Sequence, residues 1–301
     1  MYSDAELMKS ALANKNIKFA AVTAIFSLLF PAALPTVASA QTALEEIRQT
    51  GILKVGIRKD APPFGYLEGE KWQGVCIEGL ELFRADLEKK INRSVSLEKL
   101  ETDLNESAEK GRFRSVTSKR AHLECGPNTI LKNPPSGIAY SLPFLYSGTY
   151  LLVKPENRVR VNPSGFLQDV TIGVLSGSVT EQFIAGRYQL ANQRIYEGIT
   201  GRESGVKDAA SGAIDAFASD RMLLVGEALR QGLTPSQYSI IPEQPLTCIS
   251  YGMILPASDT ESIATVNNYI RNQSSTNLLE KVLGRNSPYL TISVTDQDKC
   301  I

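Results

Sequence analysis

The stretch GILKVGIRKDAPPF, residues 51–64, combines a short apolar run with a loop rich in charged residues and proline. Short apolar runs bounded by glycine or proline are typical of buried β-strands. The stretch therefore predicts a strand over residues 52–57, with Arg58 directly after it.

Similar runs alternate with segments of helical periodicity along the rest of the chain, which predicts an α/β fold with largely parallel sheets. Helical spacing of apolar residues marks segments around 80–91, 223–229 and 263–270. Asp220 is placed to cap the second of these helices, and Ser258 or Asp259 the third. Further strands are predicted at 95–100, 123–125, 150–153, 171–174, 214–218, 239–241 and 251–255.

The first forty residues have the pattern of a secretory signal peptide. A lysine-bearing stretch is followed by an apolar run over 19–34 and by the small-residue triplet at 38–40. This order predicts export to the periplasm with cleavage after residue 40, and translation can begin at Met1 or at Met8. A membrane anchor is the alternative, but two prolines interrupt the apolar run and no charged stop-transfer cluster follows it.

Charge and cysteine content narrow the function of the remaining 261 residues. They carry 29 basic and 30 acidic side chains, so binding to nucleic acid is not expected. Four cysteines in an oxidising compartment predict two disulfides, for which three pairings are possible. No metal site is expected, because no CxxC spacing is present and His122 is the only histidine. No cofactor is expected either.

Seven segments resemble, in order, the family 3 extracellular solute-binding proteins, which are the polar amino-acid receptors of ABC transporters. Residues 51–64 look like the opening strand and loop of that family. The other matching segments are spread over nearly all of the chain after the signal peptide. They are residues 74–82, 122–129, 140–144 with Gly148, 172–178, 212–220 and 251–256.

The resemblance implies a type II periplasmic-binding-protein fold, with two α/β lobes, each a mostly parallel sheet flanked by helices. The lobes are expected at 41–147 plus 252–301 and at 148–251. Two crossing segments, near 146–148 and 250–252, would act as hinges. Within these lobes the favoured disulfides are Cys76 with Cys125 and Cys248 with Cys300, because each pair joins segments of one lobe or its edge.

The family's ligand-binding positions can be carried over to this chain. Asp220 matches the aspartate that takes the ligand's amino group, although a helix cap is its alternative role. Gly177 and Ser178 match the loop that receives the ligand's carboxylate at a helix N-terminus, where Thr180 adds a hydroxyl; for both hydroxyl residues a plain cap is the alternative. Thr129 and Gly126 match the first-lobe loop at the same end of the ligand.

Three arginines, Arg58, Arg112 and Arg202, match basic positions of the glutamate- and aspartate-binding members. A guanidinium pairs well with a carboxylate, so three such groups together would select an acidic ligand. The family's carboxylate-clamping arginine after Thr129 is missing, and Lys132 is its possible substitute. Phe64 is expected to wall the cleft or to pack in the core, and Ala61 stands where the family often has an aromatic residue.

The resemblance thus implies a monomeric, non-enzymatic protein that closes around a polar, acidic amino acid and delivers it to an ABC transporter permease. Two alternatives remain open. A periplasmic cyclohexadienyl dehydratase-like enzyme would share the fold, with Glu124 as the candidate general acid. A sensor of the same fold would instead signal through a separate membrane receptor.

Overall fold

A computed structural model of the protein describes residues 41–104, 109–272, 280 and 288–300. The predicted signal sequence lies outside this part of the chain. Within the described ranges, no helix is both long enough and apolar enough to cross a membrane.

Strands and helices alternate through the described chain, as the sequence predicts. The strands are β1 (Ile52–Arg58), β2 (Asp60–Ala61), β3 (Gly65–Glu68), β4 (Lys71–Gln73), β5 (Ser96–Thr102), β6 (Leu123–Cys125), β7 (Ile138–Tyr140), β8 (Leu145–Val153), β9 (Thr171–Leu175), β10 (Asn192–Tyr196), β11 (Ala216–Asp220), β12 (Ser239–Ile241), β13 (Cys248–Tyr251) and β14 (Ile254–Pro256). The helices are α1 (Ala43–Thr50), α2 (Val75–Ile91), α3 (Arg112–Thr117), α4 (Val179–Arg187), α5 (Gly201–Ser211), α6 (Arg221–Arg230), α7 (Thr260–Asn272) and α8 (Pro288–Cys300).

Two mixed sheets form the framework. The first has the strand order β5-β1-β6-β14-β7, and the second has the order β10-β9-β11-β8-β12. In each, one strand runs against its neighbours: β14 is antiparallel to β6 and β7, and β8 is antiparallel to β11 and β12. The other strands of each sheet point the same way, because their remaining pairings are parallel. A small hairpin sheet, β2-β3-β4, follows β1.

The two segments predicted as hinges lie side by side. β13 pairs with the first half of β8, with Tyr146 opposite Ser250 and Gly148 opposite Cys248. Beyond this point β8 continues into the second sheet, while β14, which follows β13, joins the first. The two sheets are therefore connected by a pair of hydrogen-bonded antiparallel strands.

Several boundaries differ from those predicted. The strand predicted at 251–255 is two strands, because residues 252–253 separate β13 from β14, and these pair with different sheets. The strand predicted at 214–218 begins and ends two residues later, so that Asp220 is its last residue. α6 begins directly after that residue, as the capping pattern predicts.

Both predicted disulfides are present. Cys76 at the start of α2 is bonded to Cys125 at the end of β6, and Cys248 of β13 is bonded to Cys300 of α8. The first bond lies directly before the loop at 126–129. The second fastens α8 against the paired strands β8 and β13.

Helix α6 packs against the hairpin segment that follows β1, although α6 itself follows a strand of the second sheet. Met222, Leu223 and Val225 share a buried cluster with Ala61 and Phe64. This contact brings the amino-terminal end of α6 up to the loop after β1.

Candidate ligand-binding cleft

A cleft lies between the carboxyl ends of strands from the two sheets. Open α/β sheets bind ligands at this edge, because parallel strands deliver their following loops to the same place. Residues from both sheets and from the helices that follow their strands line the cleft: Arg58, Leu104, Arg112, Pro127, Thr129, Leu131, Thr149, Leu175, Ser178, Val179, Thr180, Arg202, Ser219, Asp220, Leu223 and Ile249.

Asp220 presents a buried carboxyl group to this cleft, with 8% of the residue exposed. It occupies the N-cap position of α6, yet its side chain makes no capping hydrogen bond. The hydroxyl of Tyr251 donates to its Oδ2 instead. Burial raises the pKa of Asp220 to about 6, against the opposing effects of that hydrogen bond and of Arg202. No basic side chain of the described residues forms a salt bridge with Asp220.

Arg202 of α5 is the basic counterpart of Asp220 in the cleft. Only 3% of the residue is exposed. Its Nη1 donates to Oγ of Ser219 at 2.7 Å and its Nε to the backbone carbonyl of Asp60 at 3.4 Å. No carboxylate of the described residues lies within salt-bridge distance of its guanidinium.

Arg58 lies at the carboxyl end of β1 and is 2% exposed. Its guanidinium is held in a bidentate pair by Asp60, with Nε to Oδ1 at 2.9 Å and Nη2 to Oδ2 at 2.5 Å. Burial alone would raise the pKa of Asp60, but Arg58 holds that pKa below its usual value. The pair is therefore ionised on both sides, and Asp60 itself does not line the cleft.

Arg112 and Glu124 meet through Asn128 at the first-sheet side. Nη1 of Arg112 donates to the side-chain oxygen of Asn128 at 3.2 Å, while the amide nitrogen of Asn128 donates to Glu124. Thr102 donates to the other oxygen of Glu124 at 3.2 Å. Burial raises the pKa of Glu124, which is fully enclosed and does not line the cleft.

The amino-terminal end of α4 borders the cleft from the second sheet. Ser178 is its N-cap, and Oγ accepts from the backbone amide of Glu181 at 3.0 Å. The Gly177 amide donates to the side chain of Glu181 at 2.7 Å, so this loop already holds one carboxylate. Ser178 and the buried Thr180 line the cleft, and Gly177 does not.

The remaining predicted site residues lie apart from the cleft lining. Phe64 is fully buried and packs edge-to-face on Tyr251, with 5.2 Å between the ring centroids. Of the two roles that the sequence allows for Phe64, this is packing in the core. Gly126 is buried against Glu124, and Lys132 is exposed. The structure therefore brings together seven of the predicted residues: Arg58, Arg112, Thr129, Ser178, Thr180, Arg202 and Asp220.

Sequence reasoning missed Asp60 and Tyr251. Asp60 stands two residues after Arg58 in extended chain, where side chains share one face, so this spacing was a usable signal. Tyr251 had no local signal, because its contact with Asp220 joins residues 31 positions apart. Within the described ranges no cluster of three metal-ligating side chains is present.

No protein-family model matches the chain. Two curated proteins from Escherichia coli K12 are similar to the chain in sequence. The L-cystine-binding protein TcyJ is 26% identical over 180 residues, 60% of this chain and 62% of the relative. The glutamate/aspartate import solute-binding protein is 26% identical over 248 residues, 79% of this chain and 78% of the relative. The chain thus spans about 62% of the length of the cystine-binding relative that it matches.

Among solved structures, an ancestral amino-acid-binding protein described as a precursor of cyclohexadienyl dehydratase has a TM-score of 0.67 to this chain. The two are 19% identical, and the match covers 80% of this chain and 99% of that one. The chain has the type II periplasmic-binding-protein fold, as its sequence predicts. Its resemblance to the family 3 extracellular solute-binding proteins is also confirmed.

Proposed function

We propose that this protein is a periplasmic amino-acid-binding protein that closes around its ligand and delivers it to an ABC transporter permease. One observation carries the proposal. Asp220 and Arg202 are both buried in the cleft, and neither forms a salt bridge with a described residue. Leaving charges buried and unpaired is costly, and an amino acid carries both an ammonium group and a carboxylate, which are partners of the two signs.

The ligand's ammonium group would bind Asp220, and its α-carboxylate would bind at the start of α4 beside Ser178 and Thr180. A helix N-terminus favours an anion through its unpaired amides and its dipole. The lobes at 41–147 plus 252–301 and at 148–251 would then close by bending at the paired strands β8 and β13. Ligand contacts made to both lobes only in the closed form would stabilise that form.

An acidic amino acid is the ligand that we favour. Arg202 offers a guanidinium with no carboxylate partner among the described residues, and Arg58 and Arg112 add positive charge at the same cleft. A guanidinium fork matches the planar geometry of a carboxylate. The glutamate/aspartate import relative, by its name, handles ligands of this class.

We propose no enzymatic activity. The candidate general acid, Glu124, is enclosed behind the cleft and hydrogen-bonded by Thr102 and Asn128, so it cannot reach a ligand without rearrangement. Turnover of prephenate or arogenate by the purified protein would contradict this.

The membrane partner needs a separate experiment. Co-purification with a permease from membranes, with and without ligand, separates transport from signalling through a receptor.

Isothermal titration calorimetry with glutamate, aspartate, glutamine, arginine and cystine tests the binding function. We expect binding in the micromolar range, about 8 kcal/mol, with an acidic amino acid binding most tightly. Asp220→Asn should weaken binding by about 100-fold or more, because the ammonium group loses its counter-charge. Asp208→Asn is the matched control, since Asp208 pairs with Arg194 and Tyr196 outside the cleft. A protein that binds none of these amino acids contradicts the proposal.

A further inference from the structure

Asp60 is placed between two of the arginines that line the cleft. Its carboxylate accepts two hydrogen bonds from Arg58, through Nε and Nη2, and its backbone carbonyl accepts one from Nε of Arg202. Asp60 thus contacts the guanidinium of Arg58, at the end of a first-sheet strand, and that of Arg202, in a helix that follows a second-sheet strand.

The carboxylate of Asp60 is internal to the protein. Its side chain is 4% exposed, and that of Arg58 is 2% exposed. Arg58 lines the cleft while Asp60 does not, so the carboxylate lies behind the guanidinium as seen from the cleft. The negative charge of Asp60 acts on both arginines, since its pKa is lowered by Arg58 first and by Arg202 to a lesser degree.

A guanidinium can pair with a carboxylate through two donors at a time, either Nε with one Nη or the two Nη atoms together. In Arg58, Asp60 occupies the edge formed by Nε and Nη2 and thereby also engages one of the two Nη atoms. A ligand carboxylate therefore competes with an internal one for Arg58, whereas Arg202 has no carboxylate competitor among the described residues.

We propose that Asp60 is a specificity-determining residue: by occupying Arg58, it limits how strongly the cleft prefers a ligand with an acidic side chain over a neutral one of the same shape. This inference rests on the proposed amino-acid-binding function. Specificity is a difference between two affinities, so a residue can set it without touching the ligand.

Glutamate and glutamine are the probes, because they differ in side-chain charge and hardly in shape. In Asp60→Asn, Arg58 keeps its charge but loses its internal carboxylate. We expect the ratio of glutamate affinity to glutamine affinity, measured by calorimetry, to rise by about tenfold or more over the wild type. An unchanged or lower ratio overturns the inference.

Asp215→Asn is the matched control. Asp215 also pairs with an arginine, Arg160, and lies outside the cleft. We expect the glutamate-to-glutamine ratio of this variant to equal that of the wild type. A rise as large as in Asp60→Asn would show a general effect of lost negative charge and would contradict a specific role for Asp60.

A structure of the wild-type protein with glutamate tests the inference even if Asp60→Asn does not fold. Arg58 should still hold Asp60 through Nε and Nη2, with the ligand's side-chain carboxylate nearer to Arg202. A ligand carboxylate on that edge of Arg58, with Asp60 turned away, overturns the inference. If the wild type binds no amino acid at all, the proposed function fails; binding with an unchanged ratio in Asp60→Asn defeats only the role of Asp60.

Discussion

Asp220 shows how one residue type at one position is compatible with two roles. An aspartate before a helix is a common cap, because its oxygens can accept from the first-turn amides. Here the carboxylate accepts from Tyr251 instead and makes no capping bond. The side chain is thus left at the cleft, and the start of α6 does without its most usual cap.

The pH dependence of binding should follow the ionisation of Asp220. Burial raises the pKa of Asp220 to about 6, above its ordinary value of 3.8. The free energy of unfolding of the ligand-free protein therefore falls as pH rises between these two values. A ligand ammonium group needs the ionised form. Glutamine affinity should therefore fall by about tenfold from pH 7 to pH 5. Calorimetry at both pH values measures this, and equal affinities would contradict it.

Tyr251→Phe provides an internal check on that prediction. Burial raises the pKa of Asp220 most, Tyr251, Arg202 and Arg58 lower it, and the charge of Asp296 raises it further. Removing the tyrosine hydroxyl takes away the hydrogen bond that stabilises the ionised carboxylate. The midpoint of the affinity–pH curve should then move to higher pH. A midpoint that stays in place would show that Asp220 does not govern the titration.

At the scale of elements, α6 approaches the loop after β2 very closely. A Cβ on Gly226 would overlap the carbonyl of Pro62 and lie 2.8 Å from Cδ of Pro63. Both obstacles belong to the loop backbone or to a proline ring, so they cannot turn aside. Glycine at this position is what allows a helix of the second sheet to reach the first-sheet side of the cleft.

Gly226→Ala should therefore oppose the close contact between α6 and Pro62. Alanine favours an isolated helix by up to about 1 kcal/mol over glycine, so folding is not expected to suffer from propensity. The contact with Pro62 would be pushed apart, and we expect ligand affinity to fall by about tenfold or more, measured by calorimetry.

Gly186→Ala in α4 is the matched control for this change. A Cβ there meets no atom within 4 Å, so the same substitution in a helix should leave affinity unchanged. Equal affinities for the wild type and both variants would show that the approach of α6 to Pro62 does not contribute to binding.

At the scale of the whole molecule, two disulfides join distant parts of the chain. They link residues 49 and 52 positions apart, and one of them fastens α8 to the strands that connect the sheets. The buried Asp296 of α8 adds hydrogen bonds from Tyr150 at 3.0 Å and from Ser147 at 3.4 Å. The carboxyl-terminal helix is thus tied covalently and by polar contacts to the connecting strands.

Reducing the disulfides should destabilise the protein. Closing a loop of about 50 residues restricts the unfolded chain by up to about 4 kcal/mol per bond. The replacement of Cys248 and Cys300 by serine should lower the free energy of unfolding by about 2–4 kcal/mol, measured by urea denaturation. The Cys76 and Cys125 double variant should show a similar loss. An unchanged urea midpoint in both double variants would contradict a stabilising role.

Much of the architecture could be predicted from local pattern. The apolar runs at β1, β6, β9 and β12 marked their strands to within one residue at either end. The short hairpin of β2, β3 and β4 was missed, because charged residues, glycine and proline interrupt the apolar positions of residues 60–73. The break between β13 and β14 was missed because it follows from which sheet each half joins.

The amino-acid sequence by itself determined the α/β order, both disulfides and the charged residues that line the cleft, because apolar periodicity and the family motifs are local properties of the chain. Only the tertiary structure decided which of those residues keep a charge for a ligand. Arg58 is paired with Asp60, Arg202 is paired with no carboxylate of the described chain, and Asp220 is held by Tyr251. The spacing of Arg58 and Asp60 is local, but the contacts of Asp220 and Arg202 depend on how loops from two sheets face each other across a low-dielectric space, and no local period encodes that.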